Sequence, residues 1–301
     1  MLHKNTVDDV VLALADAPID ERTGNRVLYS VDWLATQDSM IGQVNPDWVR
    51  RELAWFNSGS DKLEDMEGPV PKLFQACAGW DGKVNSAYGH ILFGQGEYIP
   101  QPPTLYERVL HTFIHEGLET RHAVAIITDR DIHELAHWNG RNDFICTNAL
   151  NFMVDQDNRL HIIAQMRSMD AVFGYRADYS MWDDLMKRLL IDLNNYEDEF
   201  GPRLGNVTRG DITFQVANLH VYPRHFELLA ETAADTEERI ARRVWQPSPS
   251  FSERMGFRDS EGNLTEKGQA EADRRSEEYR AADTQSTLAT FAEGWDGGGE
   301  R

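Results

Sequence analysis

The chain has two side chains whose type and position could do chemistry, and the first is a cysteine. Cys146 lies in the middle of the run "NDFICTNALNF" and is one of two cysteines, the other being Cys77. A free cysteine is most often a small buried apolar residue. Its thiolate is also a strong nucleophile when neighbouring groups stabilise it. From the cysteine alone, both interpretations stay open.

The second candidate is an acidic residue on the apolar face of a predicted helix. The run "NPDWVRRELAWF" begins with Asn45, which is a typical N-cap. Helical spacing places Val49, Leu53 and Phe56 on one face, and Glu52 falls on that same face. A carboxylate on a buried face is costly unless it is paired or has a chemical task. Glu52 is therefore either a satisfied buried acid or a functional one.

A third pattern is the run "HELAH", His133–His137, which matches H-E-x-x-H. On a helix this spacing presents two imidazoles to zinc, with the glutamate as a base. The segment is short, and no third ligand follows at an obvious spacing. We therefore expect no metal site, and a zinc hydrolase is kept as a remote alternative.

The composition predicts a water-soluble globular protein. The 301 residues are 41% hydrophobic and 27% charged, and the formal net charge is −20. Such a chain repels nucleic acid, and it has no basic run that would form a local patch. No apolar run approaches the roughly 18 residues of a membrane span. Two cysteines make no disulfide framework, and the first residues do not resemble a signal peptide, so we expect a cytoplasmic protein.

The order of predicted elements favours the α+β class. Strands are predicted in "RHAVAIIT", "FICTNALNFMV", "RLHIIAQMRSMD" and "DITFQVANLHVY". Helical spacing is clear in "TLYERVLHTFIHEG", "MWDDLMKRLLIDLNNYEDEFG" and "FELLAETAADTEERIARRVW". The strands and helices do not alternate regularly, which argues against a parallel sheet. We expect one catalytic domain over 1–245 and an acidic, helical extension of unknown role over 246–301.

The motifs around both candidates resemble the thymidylate synthase superfamily. The cysteine run is followed by "QMRSMDAVFGYRADYSMW" and "NLHVYPRH", and it is preceded by "DERTGNR", "RELAWF" and "NSAYG". Their order and approximate spacing are those of the family, and the resemblance is greatest to its cytidylate 5-hydroxymethylase branch. It implies a mixed β-sheet with flanking helices, and a homodimer in which the sheets pack against each other.

The resemblance implies a reaction in which a cysteine activates a pyrimidine ring. Carbon 5 of the ring attacks a one-carbon donor, 5,10-methylenetetrahydrofolate, after a thiolate has added to carbon 6. By resemblance Cys146 is that thiolate, and Tyr88 lies near it. Glu52 matches the glutamate that organises water and relays protons. Partial burial can raise the pKa of such a carboxyl toward neutrality.

The resemblance also implies a phosphate site that two subunits share. Arg22, Arg167 and Ser168 would bind the phosphate of the nucleotide from one subunit. Arg121 matches an arginine that reaches the phosphate from the other subunit, so the protein would be an obligate homodimer. At the next position, where the family has a second arginine, this chain has His122.

Other matched residues would bind the sugar and the folate. By resemblance His220 and Tyr222 contact a sugar hydroxyl, and Asp170 lies between the base and the folate. Arg26 could reach a 2′-hydroxyl, and Ala177 leaves room beside the sugar. These two residues favour CMP slightly, with dCMP close behind.

Three departures from the synthase pattern bear on the base and the product. Asp178 stands where synthases carry an asparagine that pairs with uracil. A carboxylate instead accepts hydrogen bonds from the N4 amine of cytosine and from a protonated N3. Phe74 replaces a tryptophan near the folate, and Thr147 replaces a histidine. A less closed site would admit water, which gives a hydroxymethyl rather than a methyl product.

We therefore predict a folate-dependent 5-hydroxymethylation of cytidylate, in nucleoside-antibiotic biosynthesis or in the modification of phage DNA. A uridylate hydroxymethylase or a thymidylate synthase is the first alternative, and Asp178 argues against it. A non-catalytic nucleotide-binding homologue is another alternative. The presence of both Cys146 and Glu52 argues against that one.

Overall fold

The computed structural model describes residues 2–37, 40–43, 45–94, 104–128, 140–141, 143–196, 206–245, 265–267, 269–270 and 274. The "HELAH" segment and most of the predicted extension 246–301 lie outside the described residues. The chain divides into two units, Met1–Glu238 and Arg239–Arg301. The site described below lies entirely in the first unit, and the expected boundary after residue 245 stays a prediction.

The described residues form one mixed sheet of seven strands. The strands are β1 (Leu2–Lys4), β2 (Arg26–Leu34), β3 (Val124–Ile126), β4 (Thr147–Val154), β5 (Arg159–Met166), β6 (Met169–Asp170) and β7 (Thr208–Val221). Their order is β1-β2-β7-β5-β4-β3, and β6 pairs with the end of β7. The β5–β7 and β6–β7 pairs are parallel, whereas β2–β7 and β4–β5 are antiparallel. The predicted α+β class with a mixed sheet is confirmed.

Seven helices accompany the sheet within the described residues. They are α1 (Val7–Asp16), α2 (Pro46–Ser58), α3 (Lys72–Cys77), α4 (Tyr88–Phe93), α5 (Leu105–Glu116), α6 (Gly174–Asn195) and α7 (Phe226–Trp245). The Asn45 side chain accepts a hydrogen bond from the Trp48 amide and caps α2, as the sequence predicted. None of the described helices combines the length and apolar character that a membrane crossing requires.

The core lies between the sheet and α6. Five residues of the predicted α6 stripe are buried: Trp182, Leu185, Met186, Leu189 and Leu193. The sixth, Leu190, is half-buried. On the sheet, Trp33 stacks on Phe214 with the ring centroids 5.6 Å apart. Tyr175, in the first turn of α6, packs against both rings, with centroids 6.1 Å from Trp33 and 5.6 Å from Phe214, and so ties this turn to the sheet.

A close contact between α2 and α4 brings two candidate residues to one place. A Cβ atom on Gly89 of α4 would lie 1.8 Å from the carbonyl oxygen of Phe56 on α2. Because no other residue fits there, the two helix backbones can approach this closely only with glycine. Tyr88 and Glu52 therefore face the same cavity.

Two details of the sequence prediction were wrong. Cys146 is not on a strand, because β4 begins at Thr147. The pairing of β4 with β5 also shifts register between Thr147 and Ala149, and such irregularities bend a strand end. The cysteine thus lies in the loop that enters the strand.

The buried face of α2 also differs from the predicted one. Val49 and Leu53 are half-buried, and the buried residues are Arg51, Glu52, Trp55 and Phe56. The reason is that α2 packs against two apolar clusters. Phe56 belongs to the main core, and Trp55 belongs to a smaller cluster formed with the loop that follows α2. Glu52 lies between them and faces the cavity.

Candidate active site

A cavity of about 620 Å³ lies beside the first turn of α6. Its walls come from α2, α3, α4, the loop that enters β4 and the segment from Ser168 to Asp170. Seven of the predicted site residues line it: Glu52, Phe74, Tyr88, Cys146, Ser168, Asp170 and Asp178. These predicted residues therefore bring a thiol, a phenol and three carboxyl groups to one cavity.

Arg167 holds the loop that carries the cysteine. Its guanidinium donates to the carbonyl oxygens of Ile145 at 2.8 Å and Phe144 at 2.6 Å. It also lies 3.6 Å from the sulfur of Cys146. Burial raises the pKa of the Cys146 thiol to about 11, although the positive charge of Arg167 acts in the opposite direction. At neutral pH the thiol is protonated, with a cation in place to stabilise its thiolate.

Tyr88 lies against the cysteine loop from the other side. Its hydroxyl oxygen accepts a hydrogen bond from the Thr147 amide at 3.2 Å. Burial raises the pKa of Tyr88 well above its usual value, and the nearby Cys146 and Asp178 raise it further. The hydroxyl is therefore neutral, and its proton can be donated to a group inside the cavity.

Two carboxyl groups of the cavity titrate near neutrality. Burial raises the pKa of Glu52 to about 8, and the charge of Asp178 contributes to the rise. Burial likewise raises the pKa of Asp178 to about 7. The Oε2 atom of Glu52 is buried and has no hydrogen-bond partner among the described residues. Such an atom fits a ligand or water that would complete its hydrogen bonding.

The end of β7 supports a polar cluster beside the cavity. His220 Nδ1 lies 3.0 Å from the Asn218 side-chain oxygen and 3.5 Å from the Ser168 hydroxyl. The rings of His220 and Tyr222 are 5.0 Å apart. Asp170 pairs with His220 across the sheet. Burial lowers the pKa of His220, so the imidazole is neutral at pH 7 and can donate or accept a hydrogen bond.

The outer wall of the cavity is apolar and aromatic. Phe74 lies 5.7 Å from the Trp48 ring and 6.3 Å from the Trp55 ring, measured between centroids. Leu73 and Phe173 also line the cavity and are 66% and 59% exposed. Exposed apolar side chains at a cavity mouth are typical of a surface that a flat ring covers.

Three predicted site arginines, Arg22, Arg26 and Arg121, do not line the cavity in the single chain. Arg22 is exposed and pairs with Asp20 at 2.9 Å. Arg26 donates to the Ala17 carbonyl oxygen, and its guanidinium lies over the Phe226 ring. Arg121 is exposed, and its neighbour His122 pairs with Glu116 at 2.7 Å. An arginine at any of these positions can reach a ligand in a cavity only if its side chain rearranges or if the cavity belongs to a second chain.

Comparison with known proteins finds relatives of this chain and a solved structure with the same fold. No family model matches the chain. The deoxycytidylate 5-hydroxymethyltransferase of Enterobacteria phage T4 is 28% identical over 225 residues, which cover 74% of this chain and 87% of that protein. The deoxycytidylate 5-hydroxymethyltransferase of Enterobacteria phage T2 is 29% identical and covers 69% and 81%. The thermostable thymidylate synthase A from Bacillus subtilis has the same fold, with a TM-score of 0.56, 17% identity and coverage of 75% and 82%.

The chain is similar to cytidylate hydroxymethylases of the thymidylate synthase superfamily, and it has the fold of a thymidylate synthase. The resemblance that its motifs indicated is confirmed, as is the expected fold. The structure adds the distances and burial given above.

The structure also brings residues to the cavity that the sequence analysis missed. Arg51, Trp48, Asp143 and Arg224 all line it. Arg51 is buried and donates to the carbonyl oxygens of two residues in the loop after α2, whereas Asp143 accepts hydrogen bonds from Ser86. Their partners are distant in sequence, so spacing alone gave no signal for them. Among the described residues no group of three or more His, Cys, Asp or Glu side chains could hold a metal.

Proposed function

We propose that this protein transfers a hydroxymethyl group to carbon 5 of a cytidylate. The observation that carries the proposal is the pairing of a thiol, Cys146, with a carboxyl, Asp178, in one cavity. The phage relatives, which are named as deoxycytidylate 5-hydroxymethyltransferases, support the same reaction class. The chain is therefore proposed to be a transferase.

Cys146 is proposed to begin the reaction by adding to the base. A bond forms between its sulfur and carbon 6, and the electron pair of the 5,6 double bond moves to carbon 5 and, through carbon 4, to N3. The thiol proton passes to water in the cavity as this bond forms, because the pKa of the thiol lies well above neutrality. Arg167, 3.6 Å from the sulfur, stabilises the charge that develops there.

Asp178 is proposed to select cytosine. As a carboxylate it accepts a hydrogen bond from the N4 amine and a second from a protonated N3. With its pKa raised to about 7, Asp178 exists in both protonation states near neutral pH. Protonation of N3 by this group makes carbon 6 more susceptible to the thiolate, since the ring can then accept the electron pair.

5,10-Methylenetetrahydrofolate is proposed as the co-substrate, and it would supply one carbon at the oxidation level of formaldehyde. The apolar wall with Phe74 and the exposed Phe173 fits a flat aromatic ring system. The unpartnered Oε2 of Glu52 fits a polar ring edge or a water molecule. Glu52 would hold that water, take one of its protons and return a proton to the departing amine. Carbon 5 would bond to the transferred carbon and lose its hydrogen as a proton, the bond from that carbon to the folate nitrogen would break, and water would add its oxygen to that carbon. The bond between Cys146 and carbon 6 would then break, which restores the thiol and leaves the 5-hydroxymethyl product and tetrahydrofolate.

The phosphate site is proposed to be completed by a second copy of the chain. Arg22 is held by Asp20, and Arg121 is exposed and does not line the cavity of its own chain. In a homodimer built on the sheet, Arg121 would reach the partner's phosphate site while Arg167 and Ser168 act from the near side. Arg22 would join them by exchanging Asp20 for the phosphate.

CMP is proposed as the preferred sugar form, with dCMP next. Ala177 is small, lines the cavity and is buried, which leaves room for a 2′-hydroxyl. Arg26 does not support a preference for CMP, because its guanidinium donates a hydrogen bond to the Ala17 carbonyl oxygen. A preference for CMP points to nucleoside-antibiotic biosynthesis, and a preference for dCMP points to the modification of phage DNA.

The test is tritium release from carbon 5 of labelled CMP, dCMP, UMP and dUMP, with and without methylenetetrahydrofolate. We expect release from the cytidylates to exceed release from the uridylates, and mass spectrometry to find added CH2O rather than CH2. Release from dUMP with addition of CH2 would show a thymidylate synthase instead. No release from any nucleotide by folded protein would reject the proposed reaction.

A further inference from the structure

One cation of the cavity lining has no hydrogen-bond or ion-pair partner among the described residues. Arg224 lies in the 3-10 turn Pro223–His225, directly after β7, and it lines the cavity. Its side chain is exposed, and no described residue forms a hydrogen bond or an ion pair with its guanidinium. In a chain of net charge −20, a lining cation without a carboxylate partner calls for an explanation.

The other cations near the cavity are already engaged. Arg51 donates to two carbonyl oxygens of the loop after α2. Arg167 donates to the Phe144 and Ile145 carbonyl oxygens and lies beside the Cys146 sulfur. The donors of Arg224 are therefore the ones that a ligand can reach without first breaking a contact.

The position of Arg224 is fixed by aromatic neighbours. Its guanidinium carbon lies 4.5 Å from the centroid of the Tyr222 ring. The next residue, His225, packs its ring against the exposed Phe173 ring at 5.0 Å. A guanidinium stacked on a ring keeps its N–H edge free, and this edge can bind a carboxylate or phosphate with two hydrogen bonds.

We propose that Arg224 is an anion-binding residue at the mouth of the cavity, which holds a carboxylate or phosphate group of a bound ligand. The proposal rests on the proposed function, because that function supplies two ligands with such groups. They are the phosphate of the nucleotide and the glutamate carboxylates of the folate.

The geometry favours the folate tail as the source of the anion. Arg167 belongs to the side of the cavity near Cys146, with its guanidinium 5.2 Å from the Phe144 ring. The residue next to Arg224, His225, packs against the exposed Phe173 of the apolar lining. Because the proposed function gives the phosphate to Arg167, we assign the folate tail to Arg224.

The test compares ligands that differ in one anionic group. Isothermal titration measures the affinities of the wild type, Arg224→Gln and Arg224→Lys for tetrahydrofolate, tetrahydropteroate, CMP and cytidine. Arg108→Gln is the matched control, since Arg108 is exposed on α5 and does not line the cavity. Circular dichroism and thermal melting check that each variant folds as the wild type does.

We expect Arg224→Gln to weaken tetrahydrofolate binding about fivefold to thirtyfold, the range for one charge-assisted contact at a partly exposed site. Tetrahydropteroate, which lacks the glutamate, should bind to this variant and the wild type alike. Arg224→Lys should keep part of the affinity. If the loss instead separates CMP from cytidine, the anion is the phosphate and Arg224 is still an anion-binding residue. Equal losses with and without the anionic group, or no loss at all, would overturn the proposal.

A second measurement detects anion binding at Arg224 without the reaction. The NMR signal of its Nε–H is followed in the wild type during titration with inorganic phosphate and with p-aminobenzoylglutamate. Wild-type protein that binds neither CMP nor tetrahydrofolate fails the proposed function. A saturable shift of the Arg224 signal would still support anion binding in that case, and no shift with either probe would overturn it.

Discussion

The guanidinium of Arg167 lies 3.6 Å from the sulfur of Cys146 while it donates to the carbonyl oxygens of Phe144 and Ile145. One side chain thus fixes the loop before the cysteine and places a positive charge at the sulfur. Burial outweighs that charge and raises the pKa of the thiol to about 11. The arrangement keeps the cysteine protonated at rest and stabilises the thiolate when it forms.

The first prediction concerns this nucleophile. Cys146→Ser should fold and bind nucleotide but lose exchange of the carbon 5 hydrogen, because an alcohol is a far weaker nucleophile than a thiolate. Cys77→Ser is the control, since Cys77 packs beside a separate small cluster and does not line the cavity. Tritium release and nucleotide binding are measured for both variants. Wild-type exchange by Cys146→Ser would remove the cysteine from the mechanism.

The second prediction follows from the raised pKa of Glu52. Its pKa rises from 4.5 in the unfolded chain to about 8 in the folded protein, so folding takes up a proton between these values. The unfolded state binds fewer protons in this window, and the wild type loses stability as the pH rises through it. Glu52→Gln removes this loss. The variant should gain roughly 2–4 kcal/mol relative to the wild type between about pH 5 and pH 8.

Urea unfolding of both proteins at several pH values in that window checks this prediction. Asp178 contributes in the same direction in both proteins, since its pKa is raised from 3.8 to about 7. Because the charge of Asp178 is one cause of the raised pKa of Glu52, the comparison reports the burial of Glu52 together with this coupling. A free-energy difference between variant and wild type that does not change with pH would show that Glu52 is ionised in the folded protein.

The sequence predicted the elements better than the details of the site. The α2 cap at Asn45 and the apolar stripe of α6 depend on local chemistry, which a short window contains. Glu52 was found for the same reason, as a carboxylate on a buried face. The partners of Arg51 lie at least 16 residues away and those of Arg167 at least 21, so no short stretch of sequence contained both sides of these contacts. The burial of Trp55 in place of Leu53 likewise depends on a cluster that only the folded loop completes.

The third prediction is the exchange of the base. Asp178→Asn should weaken action on cytidylate and raise action on uridylate, because an amide offers a donor to O4 and an acceptor to N3–H. A buried polar group left unpaired costs roughly 1–3 kcal/mol, so the preference should change by about tenfold to a hundredfold. Kinetics on CMP, dCMP, UMP and dUMP measure the change. The ribose preference should stay constant, and an unchanged ratio of cytosine to uracil would mean that Asp178 does not select the base.

The fourth prediction tests the shared phosphate site. Arg121→Ala and Cys146→Ala should each be inactive, for loss of phosphate binding and of the nucleophile. Mixed under conditions of subunit exchange, they should regain activity, because one site of the hybrid has an intact Cys146 and the partner's intact Arg121. The exchange itself is monitored with tagged chains. Hybrids that form and stay inactive would show that each chain completes its own site.

The last prediction concerns the loop between α2 and α3, which forms part of the cavity wall. Two neighbouring arginines of α2 contact this loop in different ways. Arg51 is 8% exposed and donates to the carbonyl oxygens of Glu67 and Pro69. Arg50 is exposed and pairs with the carboxylates of Glu67 and Asp47. A buried donor to two carbonyl oxygens fixes the loop backbone, whereas an exposed ion pair contributes roughly 0–1 kcal/mol.

Arg51→Lys should therefore loosen the loop that continues into α3 and Phe74, while Arg50→Lys serves as the matched control. A lysine cannot reach both carbonyl oxygens, so we expect a loss of roughly 1–3 kcal/mol in the free energy of unfolding. The loosened loop should raise the KM for methylenetetrahydrofolate more than the KM for the nucleotide. The reason is that Phe74, the proposed folate contact, follows this loop, whereas Cys146 lies on a different loop. Urea unfolding and steady-state kinetics on both variants decide it. If the two KM values rise together, or if Arg50→Lys has the same effect, the two carbonyl contacts of Arg51 do not position the wall.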